Sequence, residues 1–250
     1  MRTINTIDDV INTLEDIIKT SEQKPSTLGY FAALYLKVTR KVKEGIAEGF
    51  FENGPRMERL DVIFATRYID AYFKFQENKT ITESWQKAFD LSDKFWPIVL
   101  QHLLIGMNAH INLDLGIAAY EVTKNSDIQD LKTDFNKINT ILSSLVTDVE
   151  NDLSTIYPFL KKILKLTSKF DNFLVDFSME IARDGAWDFA VKLANSSEDN
   201  IQNLINKRDK SVSEIASLIT NPGIIANIIF GVIRLSERGS ISQKINDLTK

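Results

Sequence analysis

The two histidines of the 250-residue sequence, His102 and His110, fall in one stretch, HLLIGMNAHINLD, that also holds Asn108, Asn112 and Asp114. Imidazole takes and gives protons near neutral pH, so acid–base chemistry would start here. His110 and Asp114 stand four apart, adjacent on one face of a helix. That spacing suits a carboxylate fixing an imidazole tautomer, or two ligands sharing a metal ion. His102 lies about 12 Å from His110 along a helix axis and about 80° round it. Gly106 sits midway between them. A glycine inside a helix costs about 1 kcal/mol against alanine, so either a second helix packs closely there or a ligand sits in the notch. A buried imidazole without a charge partner titrates below its ordinary value of ~6.5, whereas one paired with Asp114 is expected to be held up.

A second cluster, PRMERLDVIFATRYIDAY, spans 55–72. On a helix, Glu58, Asp61, Tyr68 and Tyr72 share one side, with Ala65 leaving a gap between them. Self-paired charges on a solvated face would produce such a run, but the interleaved Phe64, Tyr68, Tyr72, Phe73 and Phe75 point to a more buried helix. The two clusters together define the candidate site. His110 is the expected general base, with Asp114 as its orienter and His102 as a further catalytic candidate. Arg56 and Arg67 are expected anion clamps, Glu58 and Asp61 second acids, and Asn108 and Asn112 further ligand contacts. A metal, if one is bound, would draw on His110, Asp114, His102, Glu58 and Asp61, although the paired Glu-x-x-His motifs of di-iron bundles are missing. A metal site, a satisfied buried polar network and a metal-free pocket all fit these residues, and no cofactor is indicated.

Nothing else competes. Cysteine is absent, which removes disulfides, thiolate metal sites and a cysteine nucleophile. No GxGxxG, Walker A, GxSxG or HExxH pattern occurs. The net charge of −4 and scattered Lys and Arg leave no electrostatic footprint for nucleic acid. Arg183 and Trp187, four apart in ARDGAW, are spaced for a guanidinium to stack over an indole, or for ordinary amphipathic packing.

The elements that must position these residues read as helices throughout. Thr6 and Asp9 resemble a capping box before the stripe Ile7, Val10, Ile11, Leu14, Ile17 and Ile18. ENGP at 52–55 ends one helix and starts another, expected over 55–75. Further helical patterns fall at about 81–91, 98–122, 127–155, 159–194, 198–219 and 223–235, and no long alternation argues for a strand. This predicts one all-α, bundle-like domain of seven to nine helices over 1–250, with 55–75 and 98–122 as central neighbours and 198–250 as a candidate appendage. The first residues, MRTINTIDDVINTLEDII, are broken by acids and lack the apolar core of a signal peptide, so a cytoplasmic protein is expected. The apolar tract GIIANIIFGVI at 223–233 is too short to span a membrane and is read as a buried helix.

YFAALYLKVT at 30–39, FENGPRMERLDVIFATRYIDAY at 51–72, HLLIGMNAHINLDLGIAA at 102–119 and, more loosely, ARDGAW at 182–187 are similar to the motifs of a bacterial family, domain of unknown function 5995. The resemblance spans 30–194. It implies no activity or cofactor. It does imply that Arg56, Glu58, Asp61 and Arg67 on one helix, and His102, Asn108, His110, Asn112 and Asp114 on another, are motif positions. Two functions follow as expectations: a polar small-molecule or catalytic pocket between helices 55–75 and 98–122, or a structural or interaction protein whose buried His/Asp/Arg network fixes helix packing.

Overall fold

Helix starts are written in this sequence as side chains that reach back to free backbone N–H groups. Thr6 Oγ1 accepts from Asp9 N at 3.1 Å and Asp9 Oδ2 accepts from Thr6 N at 3.0 Å, so the expected capping box forms. Asn53 Oδ1 accepts from Arg56 N at 3.0 Å, with Pro55 in the first turn behind it. The computed structural model describes residues 3–157 and 179–250, and the regular elements among them are helices. These are α1 (Ile7–Gln23), α2 (Leu28–Ala47), α3 (Gly54–Gln76), α4 (Glu83–Phe89), α5 (Val99–Ala109), α6 (Gly116–Val122), α7 (Lys132–Ile156), α8 (Met179–Ala194), α9 (Glu198–Thr220), α10 (Ile224–Ser236) and α11 (Ile241–Thr249).

The described residues therefore hold eleven α-helices, not seven to nine. Two causes account for the difference. The single helix expected over 98–122 is divided by a π-helical turn, His110–Leu115, between α5 and α6. The last helix, α11, carries a capping box from Ser240 and Gln243 that hydrophobic spacing alone does not reveal. Part of the helix expected over 159–194 lies outside the described residues, and its described part is α8.

The α5–π–α6 run is the centre of the packing. α5 lies against α2, α4 and α9, while the π turn and α6 lie against α3 and α8. The expected contact between the two motif helices is therefore made. Segment 198–250 contributes directly to this core. Asp209 on α9 accepts from Glu83 N and Ser84 N at 2.7 and 3.0 Å, capping α4, and Ile245 and Leu248 on α11 are fully enclosed. Among the described residues no helix is long and apolar enough to cross a membrane.

The reading of 223–233 as a buried helix needs correction. Phe230 and Ile233 are buried, but Ile224 and Ile228 are 81% and 64% exposed, as are Val232 and Leu235 to a similar degree. A 13-residue helix that is apolar all round has only one side turned to the core here, so hydrophobicity overstated its burial.

Candidate functional site

In an α-helix every N–H reaches four residues back, and a π turn admits one extra residue before the bond closes. That local widening occurs at His110–Leu115, the segment that carries the His110 and Asp114 side chains. Asp114 is almost fully buried, yet its carboxylate is well supplied with donors. Arg67 Nε donates to Oδ1 at 2.7 Å, and Trp85 Nε1 donates to Oδ2 at 2.8 Å. His110 Nδ1 stands 3.3 Å from Oδ2, a long contact. One carboxylate thus ties α3, α4 and the π turn together. Burial, the strongest single influence on Asp114, pushes its pKa up, but Arg67, then His110 and Trp85, together outweigh it and leave it below the usual value.

An ionised carboxylate can only accept, so the His110 proton belongs on Nδ1 and Nε2 is left with a lone pair. That Nε2 is buried and makes no hydrogen bond. The ring is held flat by other rings. Phe64 stacks on it at 3.5 Å and 7°, Tyr35 meets it edge-on at 4.5 Å, and Phe31 does so at 5.7 Å. Burial lowers the His110 pKa and prevails over Asp114, which raises it, so the expectation that the pairing holds this imidazole up fails. Desolvation by a box of aromatic rings costs the imidazolium more than one long contact returns. Gly106 explains how the box closes: a Cβ there would meet Phe31 Cδ2 at 2.6 Å. Of the two readings of Gly106, the close approach of a second helix is the one that holds, with Phe31 of α2 in the space.

Two cavities adjoin the pair. A cavity of about 280 Å³ is lined by His110 together with Phe31, Tyr35, Phe64, Leu104, Met107 and other apolar side chains from α2, α5 and α7. A more polar cleft of about 690 Å³ reaches Asp114, Arg67 and Trp85 between α3, α4 and α9. The imidazole lines the first and the carboxylate the second.

The remaining candidates are spread through the fold. His102 is buried edge-on against Tyr30 at 5.6 Å, and its pKa is lowered to about 3, first by burial and then by Arg234 and Lys244. It does not line the cavity that His110 lines. Arg56 Nη2 donates to Asp134 Oδ2 at 3.1 Å; the same carboxylate accepts from Glu52 N and Asn53 N and pins the turn before α3. Glu58 accepts from Ile7 N at 3.3 Å, at the start of α1. Asn108 Nδ2 donates to Val212 O at 2.9 Å and its Oδ1 accepts from Asn112 Nδ2 at 3.0 Å, binding α5 to α9. Asp61 is buried with Oδ2 unpaired, and burial, then Glu58, raises its pKa to about 7. Among the described residues no three His, Asp or Glu side chains gather as a metal ion would need, so His110, Asp114, His102, Glu58 and Asp61 do not form one ligand set.

Several contributors escaped the sequence reading. Trp85 is one, although a buried indole N–H generally demands an acceptor, which is a reason to match it with an acid. Phe31, Tyr35 and Phe64 lie within the quoted motifs, but nothing in their spacing announces a ring box. Arg183 is the fifth, singled out in the sequence but for another contact. It does not stack on Trp187 as its spacing suggested: its guanidinium lies 4.6 Å over Phe135, and the cation over Trp187 is Lys132 at 4.4 Å. The rings brought in by the α7 segment outcompete the neighbour four residues away.

The profile of a family of unknown function, DUF5995, matches residues 7–222, which covers both motif helices, the π turn and α9. The chain belongs to the DUF5995 family. No curated protein and no solved structure matches it. In this DUF5995 chain the matched range takes in Asp209 and Val212, which hold α4 and Asn108, beyond the 30–194 span of the quoted motifs.

Proposed function

We propose that this chain binds a small, largely apolar molecule in the cavity beside His110, with the His110–Asp114 pair accepting a proton or hydrogen bond from it. One observation carries the reading: a buried imidazole whose Nδ1 is committed to a carboxylate has an unpartnered Nε2, and its ring lines a cavity of about 280 Å³. A buried acceptor left unmade costs about 1–3 kcal/mol, which a donor on a bound molecule would offset. Ligand pockets are typically apolar with few polar groups, and this cavity lies just below their usual size range. The pocket proposed is therefore less polar than the residue types suggested. His110, neutral because burial depresses its pKa, is the base; Asp114, Arg67 and Trp85 set its tautomer and orientation.

The experiment is fluorescence titration with the neutral apolar probe N-phenyl-1-naphthylamine, on the native chain and on Leu104→Trp, which would narrow the cavity. Saturable binding by the first and loss in the second is expected. The second reading, a network that only fixes helix packing, draws support from Asp114 joining α3, α4 and the π turn. Absence of probe binding in the native chain would favour it.

A further inference from the structure

A guanidinium is costly to bury unless a carboxylate or several acceptors surround it. Arg183 on α8 is 4% exposed and lines the same cavity as His110. Its Nη2 donates to Phe135 O and its plane covers the Phe135 ring, but Nε makes no hydrogen bond. No carboxylate of the described residues lies within ion-pair distance of it; Asp184, its neighbour in sequence, acts only at longer range. Lys244, the other cation buried as deeply among the described residues, has Glu237, and the half-buried Arg56 and Arg67 have Asp134 and Asp114. Glu150, the acidic residue among the cavity's lining side chains, is exposed to solvent.

We infer that the cavity accepts an anionic amphiphile, a carboxylate on a short apolar body, whose head group pairs with Arg183 while its body lies among the leucines of α5 and α7. The inference rests on the pocket reading above and adds an anionic head group to the ligand; since an ionised carboxylate only accepts, the donor that His110 Nε2 takes up would stand on the ligand's body. A guanidinium presents paired donors that match a carboxylate's two oxygens, and in an apolar surrounding such a charge-assisted pair is at its strongest. Size narrows the class further. A cavity of about 280 Å³ suits a short-chain ligand rather than a long one. Leu100, Leu103 and Leu104 from α5, with Leu145, Val149 and Leu153 from α7, would supply the apolar walls. Burial pushes the Arg183 pKa down to about 10, so the side chain remains a cation at neutral pH.

The test compares octanoate with 1-octanol by isothermal titration at pH 7.5. The alcohol is the more hydrophobic of the two, so a simple apolar cavity favours it. The expected result is that octanoate binds at least about ten-fold more tightly, equivalent to ~1.4 kcal/mol, and that Arg183→Met reverses the preference. If 1-octanol binds as tightly as octanoate, the anion assignment is overturned and the pocket stands. If neither binds, the pocket reading and the inference fall together. A preference for octanoate that persists in folded Arg183→Met would place the anion elsewhere and overturn the role of Arg183. Should that variant fail to fold, Arg183→Lys, which keeps the charge and loses the planar fork, is read in its place: octanoate affinity is expected to drop several-fold while 1-octanol is unaffected, and an unchanged octanoate affinity overturns the assignment.

Discussion

His102 and His110 stand on one helical run, both buried, both in apolar sequence, and they differ in almost everything that matters chemically. His110 faces a carboxylate held by an arginine and a tryptophan, and its ring is part of a cavity wall. His102 lies edge-on to Tyr30, and the charges nearest to it are the cations Arg234 and Lys244. Burial lowers both pKa values, but only for His110 does a neighbouring acid oppose it. The lesson is that a histidine's chemistry is written by what other elements bring to it. Trp85 and Arg67 reach His110 from α4 and α3, whereas the C-terminal segment reaches His102.

The strongest way to break the contrast is to remove the acid. Asp114→Ala leaves Arg67 and the Trp85 indole without their acceptor, and loss of one member of a buried pair costs about 3 kcal/mol or more. Urea unfolding is the measurement, and a loss below ~1 kcal/mol would mean that the carboxylate does not hold the three elements together.

A pH series sharpens the electrostatics. His102, with its folded pKa near 3 against ~6.5 unfolded, contributes stability that is present above ~6.5 and lost as pH falls towards 3. Asp61, with its folded pKa raised to about 7 from 3.8, contributes stability that is full below 3.8 and lost as pH rises through 7. The two slopes oppose each other between about pH 4 and 6.5, each at most ~1.4 kcal/mol per pH unit. Asp61→Asn should therefore steepen the rise of stability with pH in that window by about 1 kcal/mol per unit. Parallel profiles for the native and variant chains would contradict a buried, protonated Asp61.

Gly106→Ala tests the ring box. The added methyl meets Phe31 Cδ2 and Cγ at 2.6 and 2.7 Å, and overpacking of this kind costs about 1–3 kcal/mol. Probe binding beside His110 should weaken as well, because the displaced ring lines that cavity. The smallest effect belongs to the other histidine. His102→Leu is expected to change stability by no more than about 1.5 kcal/mol and to leave probe binding intact, while His110→Leu should weaken binding of ligands that donate a hydrogen bond. Equal losses of binding in both variants would erase the distinction.

Much of the fold was legible because apolar periodicity and caps are local: Thr6 with Asp9, and Asn53 with Pro55, announce their helices within four residues. The pairing of His110 with Asp114 was legible for the same reason, being a contact across one turn. Arg67 reaches Asp114 across 47 positions, Trp85 across 29, and Asn108 reaches Val212 across 104. Such contacts depend on which helix ends beside which, and no short-range pattern encodes that. Arg183 shows the limit from the other side, since its spacing to Trp187 suited a pair that Phe135 pre-empted.

The π turn has a geometric consequence for the whole molecule. By absorbing one extra residue it leaves everything after it about 100° round the axis from where an unbroken α-helix would place it. It works as a phase shifter in a single rod, whose first half meshes with α2, α4 and α9 and whose second half meshes with α3 and α8. His110 stands where the phase changes. Its aim is thus set by the backbone: with one residue deleted between 110 and 115 the run would close as a continuous α-helix that keeps α6 on its partners, and the widened turn that aims His110 and Asp114 would be gone.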